Sequence, residues 1–240
     1  RIQDRLAAVG RLASAVAHEI RNPLTSIAGS AHMLVSIPAL ADEHRQLFRI
    51  IVRESERLNQ ILSEFLDYSR ERQYNFTPTD LVCLLEETLT LLPNRSAAPQ
   101  RGVVITTDLS VPVAPTFADG DKLRQVIWNL CDNALRAMPQ GGELRVALQR
   151  DSDFWVITVA DSGRGISPES IENIFEPFQS GFPGGTGLGL AIVYQIVQAH
   201  SGHIAVLSAP GQGTEFTLHL RCLDPGEIPA AAPALAAATH

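Results

Sequence analysis

The sequence predicts an α+β architecture: a helical hairpin that pairs with a second copy into a four-helix bundle, followed by an α/β sandwich. Three observations predict it. Apolar residues recur at steps of three and four through residues 1–72. From about Phe76 the pattern changes to short alternating runs that read as strands. A glycine-rich stretch near residue 185 then opens one more helical pattern.

In the first helix, residues 1 to about 37, the apolar stripe is Leu6, Val9, Ala13, Val16, Ile20, Leu24, Ile27, Ala31 and Leu34, and Pro38 stops it. The second runs from about Asp42 to Arg72, with Leu47, Ile51, Leu58, Ile61, Leu62 and Phe65 on its apolar face. A hairpin of two such helices leaves one face apolar, and a homodimeric four-helix bundle is the simplest way to bury it. Asp80 is placed to cap a helix through Leu92, and residues 103–107 read as a strand. Residues 121–138 read as a helix ended by Pro139 and Gly141-Gly142, with strands at 144–148 and 155–159. A helix from Gly187 to about His200 and closing strands at 204–207 and 215–220 complete the sandwich. The stretch after Arg221 is rich in Ala and Pro and is expected to be disordered.

Composition narrows the function classes. The net charge of −7 argues against a nucleic-acid-binding face, which needs clustered positive charge. Cys83, Cys131 and Cys222 are odd in number and lack metal-ligand spacing, as expected of reduced thiols in a cytoplasmic portion. No apolar run is long enough to span a bilayer, so membrane contact is expected only through a segment absent from this chain. Lys122 is the only lysine, and its surroundings, Asp121-Lys122-Leu123, are unlike a Walker A loop. The strand lysine and HRD loop of Ser/Thr/Tyr kinases are missing too. Any ATP site here works without a lysine.

His18 lies two positions from Val16 and two from Ile20, which at about 100° per residue points it away from the apolar stripe. Asn22 shares its face one turn on, Glu19 is adjacent, and Pro23 removes a helix hydrogen bond. A neutral imidazole is a good nucleophile near neutral pH, and a neighbouring carboxylate can hold one ring nitrogen while the other attacks. His32 and His44, on the same helices, are expected to be solvated surface side chains.

Asn129 and Asn133 stand at i and i+4 on one helix face with Arg136 three further along, a set able to hold a hydrated Mg²⁺ and the phosphates it bridges. Asp161-Ser162-Gly163-Arg164-Gly165 follows a strand, where a carboxylate can accept from an exocyclic amine and glycines let backbone approach a planar ring. Gly184-Gly185-Thr186-Gly187-Leu188-Gly189-Leu190 leads into a helix N-terminus, which offers N–H groups to phosphates. His200 and His203 are read as structural.

In order and spacing these segments resemble the histidine kinase core over about residues 5–222, with the flavour of the nitrogen-regulation type. His18-Glu19-Ile20-Arg21-Asn22-Pro23 resembles the H box, Asn129 to Asn133 the N box, and Asp161 to Gly165 the G1 or D box. Phe175-Glu176-Pro177-Phe178 resembles the F box, Gly185 to Leu190 the G2 box, and Gly211-Gln212-Gly213-Thr214 the turn whose threonine supports the adenine site.

The resemblance implies a dimerisation and phosphotransfer domain at 1–74, a catalytic ATP-binding domain of the gyrase, Hsp90, kinase and MutL superfamily at 75–222, and a tail at 223–240. It implies an ATP-dependent autokinase with His18 as phosphoacceptor, Glu19 as its base, and Asn22 orienting a water when a partner is dephosphorylated. The partner implied is the receiver domain of a response regulator, which takes the phosphoryl group on an aspartate. Asn133 would coordinate Mg²⁺, Asn129 and Arg136 would lie near the phosphates, and Asp161 would hold adenine. Gly163, Gly165, Ile166, Gly185, Thr186, Gly187, Leu188, Gly189 and Thr214 would line the nucleotide, and residues 178–187 would form a lid. Two departures stand out: no Arg or Lys occurs between Arg164 and Arg221, and Gln179 follows the F box where an aromatic is common. A hydrolase of the same superfamily would need a glutamate at Asn129 to activate water, and asparagine cannot take that proton. A non-catalytic dimeric scaffold would not need intact N, D and G boxes.

Overall fold

The computed structural model describes residues 20–37, 41–69, 73–95, 102–182 and 185–223. His18, Glu19, Gly184 and the tail from 224 lie outside them. The chain divides into two compact units, Arg1–Gln73 with Ser180–Leu188, and Tyr74–Gln179 with Gly189–His240.

The helical unit holds α1, described over residues 20–35, and α2 (Asp42–Ser69). The helix continues through Pro23, and the hydroxyls of Thr25 and Ser26 donate to the carbonyls of Arg21 and Asn22 in the following turn. Arg45 of α2 donates to the carbonyls of Val35 and Ile37 at 2.9 and 3.3 Å, satisfying the end of α1. Arg21 reaches Ser63 at 2.9 Å across the pair. Ala31, Ser55 and Leu66 are buried, whereas Ile27, Met33, Leu47 and Leu58 keep 48, 68, 58 and 47% of their surface exposed. His32 and His44 are exposed, as their sequence positions predict.

The second unit contains β1 (Thr77–Asp80), α3 (Leu81–Arg95), β2 (Val103–Leu109), β3 (Pro115–Ala118), α4 (Gly120–Ala137), β4 (Gly142–Asp151), β5 (Phe154–Asp161), α5 (Pro168–Ile171), α6 (Gly189–Ala199), β6 (His203–Ser208) and β7 (Thr214–Arg221). Five strands form one sheet in the order β2-β4-β5-β7-β6, with β2 parallel to β4 and the other pairs antiparallel. Alternation along the strands puts Leu144, Val146, Leu148, Ile157, Val159, Leu218 and Leu220 in the core. Leu123, Val126, Ile127 and Leu130 of α4, and Ile192, Val193 and Ile196 of α6, are buried at helical spacing. The two helices pack on each other, and α3 packs on α4.

Three elements are absent from the sequence prediction. The antiparallel pair β1–β3 and the single-turn α5 are each four residues long, too short to show a period and interrupted by Pro78, Pro115 and Pro168. Asp80 ends β1, where its Oδ1 accepts from the N–H groups of Val82 and Ala114 at 3.1 and 2.8 Å, so it caps α3 and ties down β3 at once. The predicted start of the last helix at Gly187 moves to Gly189, because Gly187 adopts φ +70 and cannot be helical. The three cysteines are free, and burial pushes the Cys131 thiol up to about 12.

Candidate functional site

The last residue of β5 anchors the site. Asp161 stands opposite Thr214 in the β5–β7 register, so its carboxylate meets the first residue of β7. Burial raises its carboxyl above the ordinary range, and hydrogen bonds from the backbone N–H groups of Gly163 and Thr214 pull the other way. The Gly163 bond is 2.8 Å long. A carboxylate has about four lone-pair sites, so two backbone donors leave it able to accept from an exocyclic amine.

The loop after Asp161 is wedged between two turns. The N–H of Arg164 donates to the carbonyl of Ala137 at the end of α4, and that of Ser162 to the carbonyl of Glu143. On the other side the N–H of Gly211 donates to the carbonyl of Arg164 at 2.7 Å. Ser208 Oγ accepts from the N–H of Ile166 at 2.9 Å and lies 3.0 Å from the Thr214 hydroxyl. Glycine is required on both turns: a Cβ on Gly165, at φ +68, would sit 1.9 Å from the Ala209 carbonyl oxygen, and one on Gly213, at φ +81, 1.9 Å from that of Asp161.

The face of α4 supplies the second half. Asn129, Asn133 and Arg136 are all half-buried there. Asn129 Nδ2 donates to the carbonyl of Gly189 at 3.2 Å, so the middle of α4 touches the first residue of α6. The side chain of Asn133 has no hydrogen-bond partner among the described residues and offers an amide oxygen. Arg136 Nε is held by Asp132 at 2.7 Å, so its charge is shared with a carboxylate one turn back on the same helix. No group of three or more His, Cys, Asp or Glu gathers among the described residues. Amide oxygen, water and substrate phosphate oxygen are the donors left for a divalent ion, a set that suits Mg²⁺.

The structure thus brings Asn129, Asn133, Arg136, Asp161, Gly163, Gly165, Ile166, Gly189 and Thr214 into one unit. Gly185, Thr186, Gly187 and Leu188 belong to the helical unit, where the Thr186 hydroxyl donates to the Glu64 carboxylate and accepts from the N–H of Leu188. Asn22 is exposed on α1. Among the resembled motifs, Phe175 of the F box packs its ring on Tyr194 and Phe216, at centroid distances of 5.5 and 6.5 Å.

Sequence reasoning missed Ser208 and Asp119. Ser208 carried no signal, because its partners lie in two separate turns. Asp119 could have been found as the Asp before Gly120 that caps α4, since its carboxylate accepts from the N–H of Lys122 at 3.1 Å. His200, read as structural, is buried, and its Nε2 accepts from the N–H of Asp119.

The family described as "Histidine kinase-, DNA gyrase B-, and HSP90-like ATPase" matches residues 118–223, and "His Kinase A (phospho-acceptor) domain" matches residues 8–73. The chain is 39% identical over 219 residues to sensor histidine kinase ZraS of Klebsiella oxytoca, covering 91% of this chain and 47% of that protein. It is 37% identical over 221 residues to signal transduction histidine-protein kinase AtoS of Escherichia coli, covering 90% of this chain and 35% of the relative. The chain therefore spans about half the length, or less, of these relatives. Among solved structures, full-length ShkA in complex with AMPPNP superposes with TM-score 0.72 at 27% identity, over 88% of this chain and 46% of that one. Histidine kinase ThkA in complex with the response regulator protein TrrA gives 0.68 at 28% identity, over 92 and 64%.

Proposed function

Because this chain belongs to the two-component sensor histidine kinases, with an ATP-binding kinase domain, we propose that it phosphorylates its own His18 and passes the phosphoryl group to an aspartate of a response regulator. The observation that carries the nucleotide assignment is the pair of joints around Asp161 and Asn129. Asp161 is a half-buried carboxylate with accepting capacity to spare at a strand end, and Asn129 lies against the N-terminus of α6. Adenine fits the first and phosphates the second.

In this reading Asp161 accepts from the adenine amine, and Gly163, Gly165 and Thr214 shape the floor beneath the ring. Gly185, Thr186 and Gly187 belong to the lid over ATP, residues 178–187, and Leu188 follows it. Asn133 would hold a Mg²⁺ through its amide oxygen, and the ion would supply charge to neutralise the phosphates. Asn129 and Arg136 orient the phosphates. A ring nitrogen of His18 attacks the γ-phosphorus, forming an N–P bond as the bond to the bridging oxygen breaks and ADP leaves. Glu19 takes the proton from the other ring nitrogen. Asn22 can hold a water but cannot take a proton, so it suits hydrolysis of a phosphoaspartate in a docked receiver domain. The reaction runs in a homodimer and in the cytoplasm, where ATP is available. A non-enzymatic scaffold has no use for these joints.

The test is label transfer from γ-labelled ATP together with phosphate release from a phosphorylated receiver domain. His18→Ala should abolish labelling while ATP binding survives. Asn22→Ala should keep most labelling and lose most phosphatase activity, and Glu19→Ala should lose labelling first. Labelling of His18→Ala at the level of the unaltered chain would sink the phosphoacceptor assignment. Loss of labelling in Asn22→Ala with phosphatase intact would reverse the division of roles.

A further inference from the structure

Asp119 and His200 lie at the far end of the two helices that frame the nucleotide site. α4 and α6 pack together and are joined twice. At one joint Asn129 Nδ2 donates to the carbonyl of Gly189, where α6 begins. At the other the N–H of Asp119, the residue before α4, donates to Nε2 of His200, the residue after α6, at 3.0 Å. With a rise of about 1.5 Å per residue the two joints stand roughly 15 Å apart along an antiparallel pair.

The chemistry of the second joint is specific. A ring nitrogen that accepts carries no proton, so the hydrogen sits on Nδ1, which donates to the carbonyl of Ile196 at 2.7 Å. Both residues are more than nine-tenths buried, His200 at 8% exposure and Asp119 at 7%. Asp119 in turn accepts from the N–H groups of Lys122 and Asn75. The rings of Tyr74 and Phe76 lie 5.7 and 4.8 Å from the imidazole. Packing alone would be served by an apolar side chain. Here one imidazole satisfies a buried donor at the start of one helix and a carbonyl in the last turn of the other.

We propose that His200 is a positioning residue for the nucleotide site: its neutral imidazole clasps the end of α6 to the start of α4 and so keeps the Asn129–Gly189 joint, and the α4 face bearing Asn133, in place. This rests on the nucleotide-site reading above. Helices are stiff, so play at one end becomes displacement at the other, and small displacements matter where a ligand must be oriented.

Protonation of Nε2 removes the acceptor and sets two N–H groups against each other. Burial holds the His200 imidazole below its ordinary range, against the backbone bond to Ile196 and the nearby Asp119 carboxylate, which act to raise it. Other titratable groups on the elements around it include Asp121, Lys122 and Arg124 on the first turns of α4, Tyr74 in the segment entering the domain, Tyr194 on α6, His203 at the start of β6 and His219 on β7; α6 carries no Asp, Glu, Lys or Arg. A depressed folded pKa means the clasp is intact at the ordinary histidine value of about 6.5 and above, and is lost only as pH falls through the lower value that His200 has in the fold.

The experiment is ATP binding by the whole chain, by titration calorimetry with Mg²⁺, in the unaltered protein, His200→Phe and His200→Gln. Phenylalanine fills the space without an acceptor, and glutamine supplies an acceptor oxygen that does not titrate. At about pH 7.5, His200→Phe should bind roughly fivefold or more weakly, the scale of one buried hydrogen bond, and His200→Gln within about twofold of the unaltered chain. As pH falls from about 7.5 through the His200 titration, located by the pH dependence of its ring-proton NMR shifts, the unaltered chain should lose about threefold more affinity than His200→Gln, whose loss reflects ATP and groups common to both. A folded His200→Phe with unaltered affinity, or pH profiles of the unaltered chain and His200→Gln that stay superimposable through that titration, would overturn the clasp. If His200→Phe does not fold, the pH comparison decides alone. No ATP binding by the unaltered chain at about pH 7.5 would instead overturn the nucleotide-site reading.

Discussion

The helical hairpin and the sheet domain treat their apolar residues differently. Along α1 and α2 the stripe legible in the sequence stays largely open, with Ile27, Leu47 and Leu58 near half exposure. In the sheet domain Leu130, Leu135, Leu144, Val146, Leu148 and Leu218 are wholly buried. Geometry explains the contrast. Two helices meet along one seam, and an apolar arc wider than that seam needs further helices to cover it. A five-stranded sheet covered by α4 and α6 closes its core within one chain. The hairpin alone leaves its apolar stripe open, and the sheet domain closes its own core.

The largest effect that would test this contrast is expected where the sheet domain has no slack. Gly213→Ala places a Cβ against the Asp161 carbonyl at a positive φ, and should cost at least about 3 kcal/mol of domain stability and most ATP binding. A denaturation midpoint and nucleotide affinity equal to those of the unaltered chain would show that this turn can give. An intermediate effect is expected on the hairpin. Ile27→Asp with Leu58→Asp should turn a dimer into a monomer by light scattering at micromolar concentration, since each apolar side chain covered in the bundle contributes about 1.5–3 kcal/mol. ATP affinity should be unchanged. A double variant that stays dimeric would place the interface elsewhere. The smallest effect is a gain. A Cβ on Gly29 meets nothing within 4 Å, and Gly29→Ala should stabilise the hairpin by about 0.5–1 kcal/mol through helix propensity. A lowered thermal midpoint would mean that another surface approaches α1 closely there.

Much of the candidate site was legible because its residues are local in sequence. Asn129 and Asn133 share a helix face by spacing alone, and Asp161 is recognisable as a polar residue closing an alternating run. The glycines of the following loop were legible as glycines, though not for their reason. Gly165 and Gly213 are required by the close approach of two turns, and no local pattern encodes that approach. The pairs Ile166–Ser208 and Asp119–His200 are separated by 42 and 81 residues, so neither could be found by periodicity.

The residues alone specify the long helices, the central strands and the chemical character of each motif. Hydrophobic period, capping residues and glycine placement act over a few residues and are written there directly. That Asp161 meets Thr214, that Asn129 lies against Gly189, and that a buried histidine joins α4 and α6 at their other end come from the folded arrangement. These depend on strand register and helix packing, which emerge when distant segments compete to satisfy buried polar groups and fill one core.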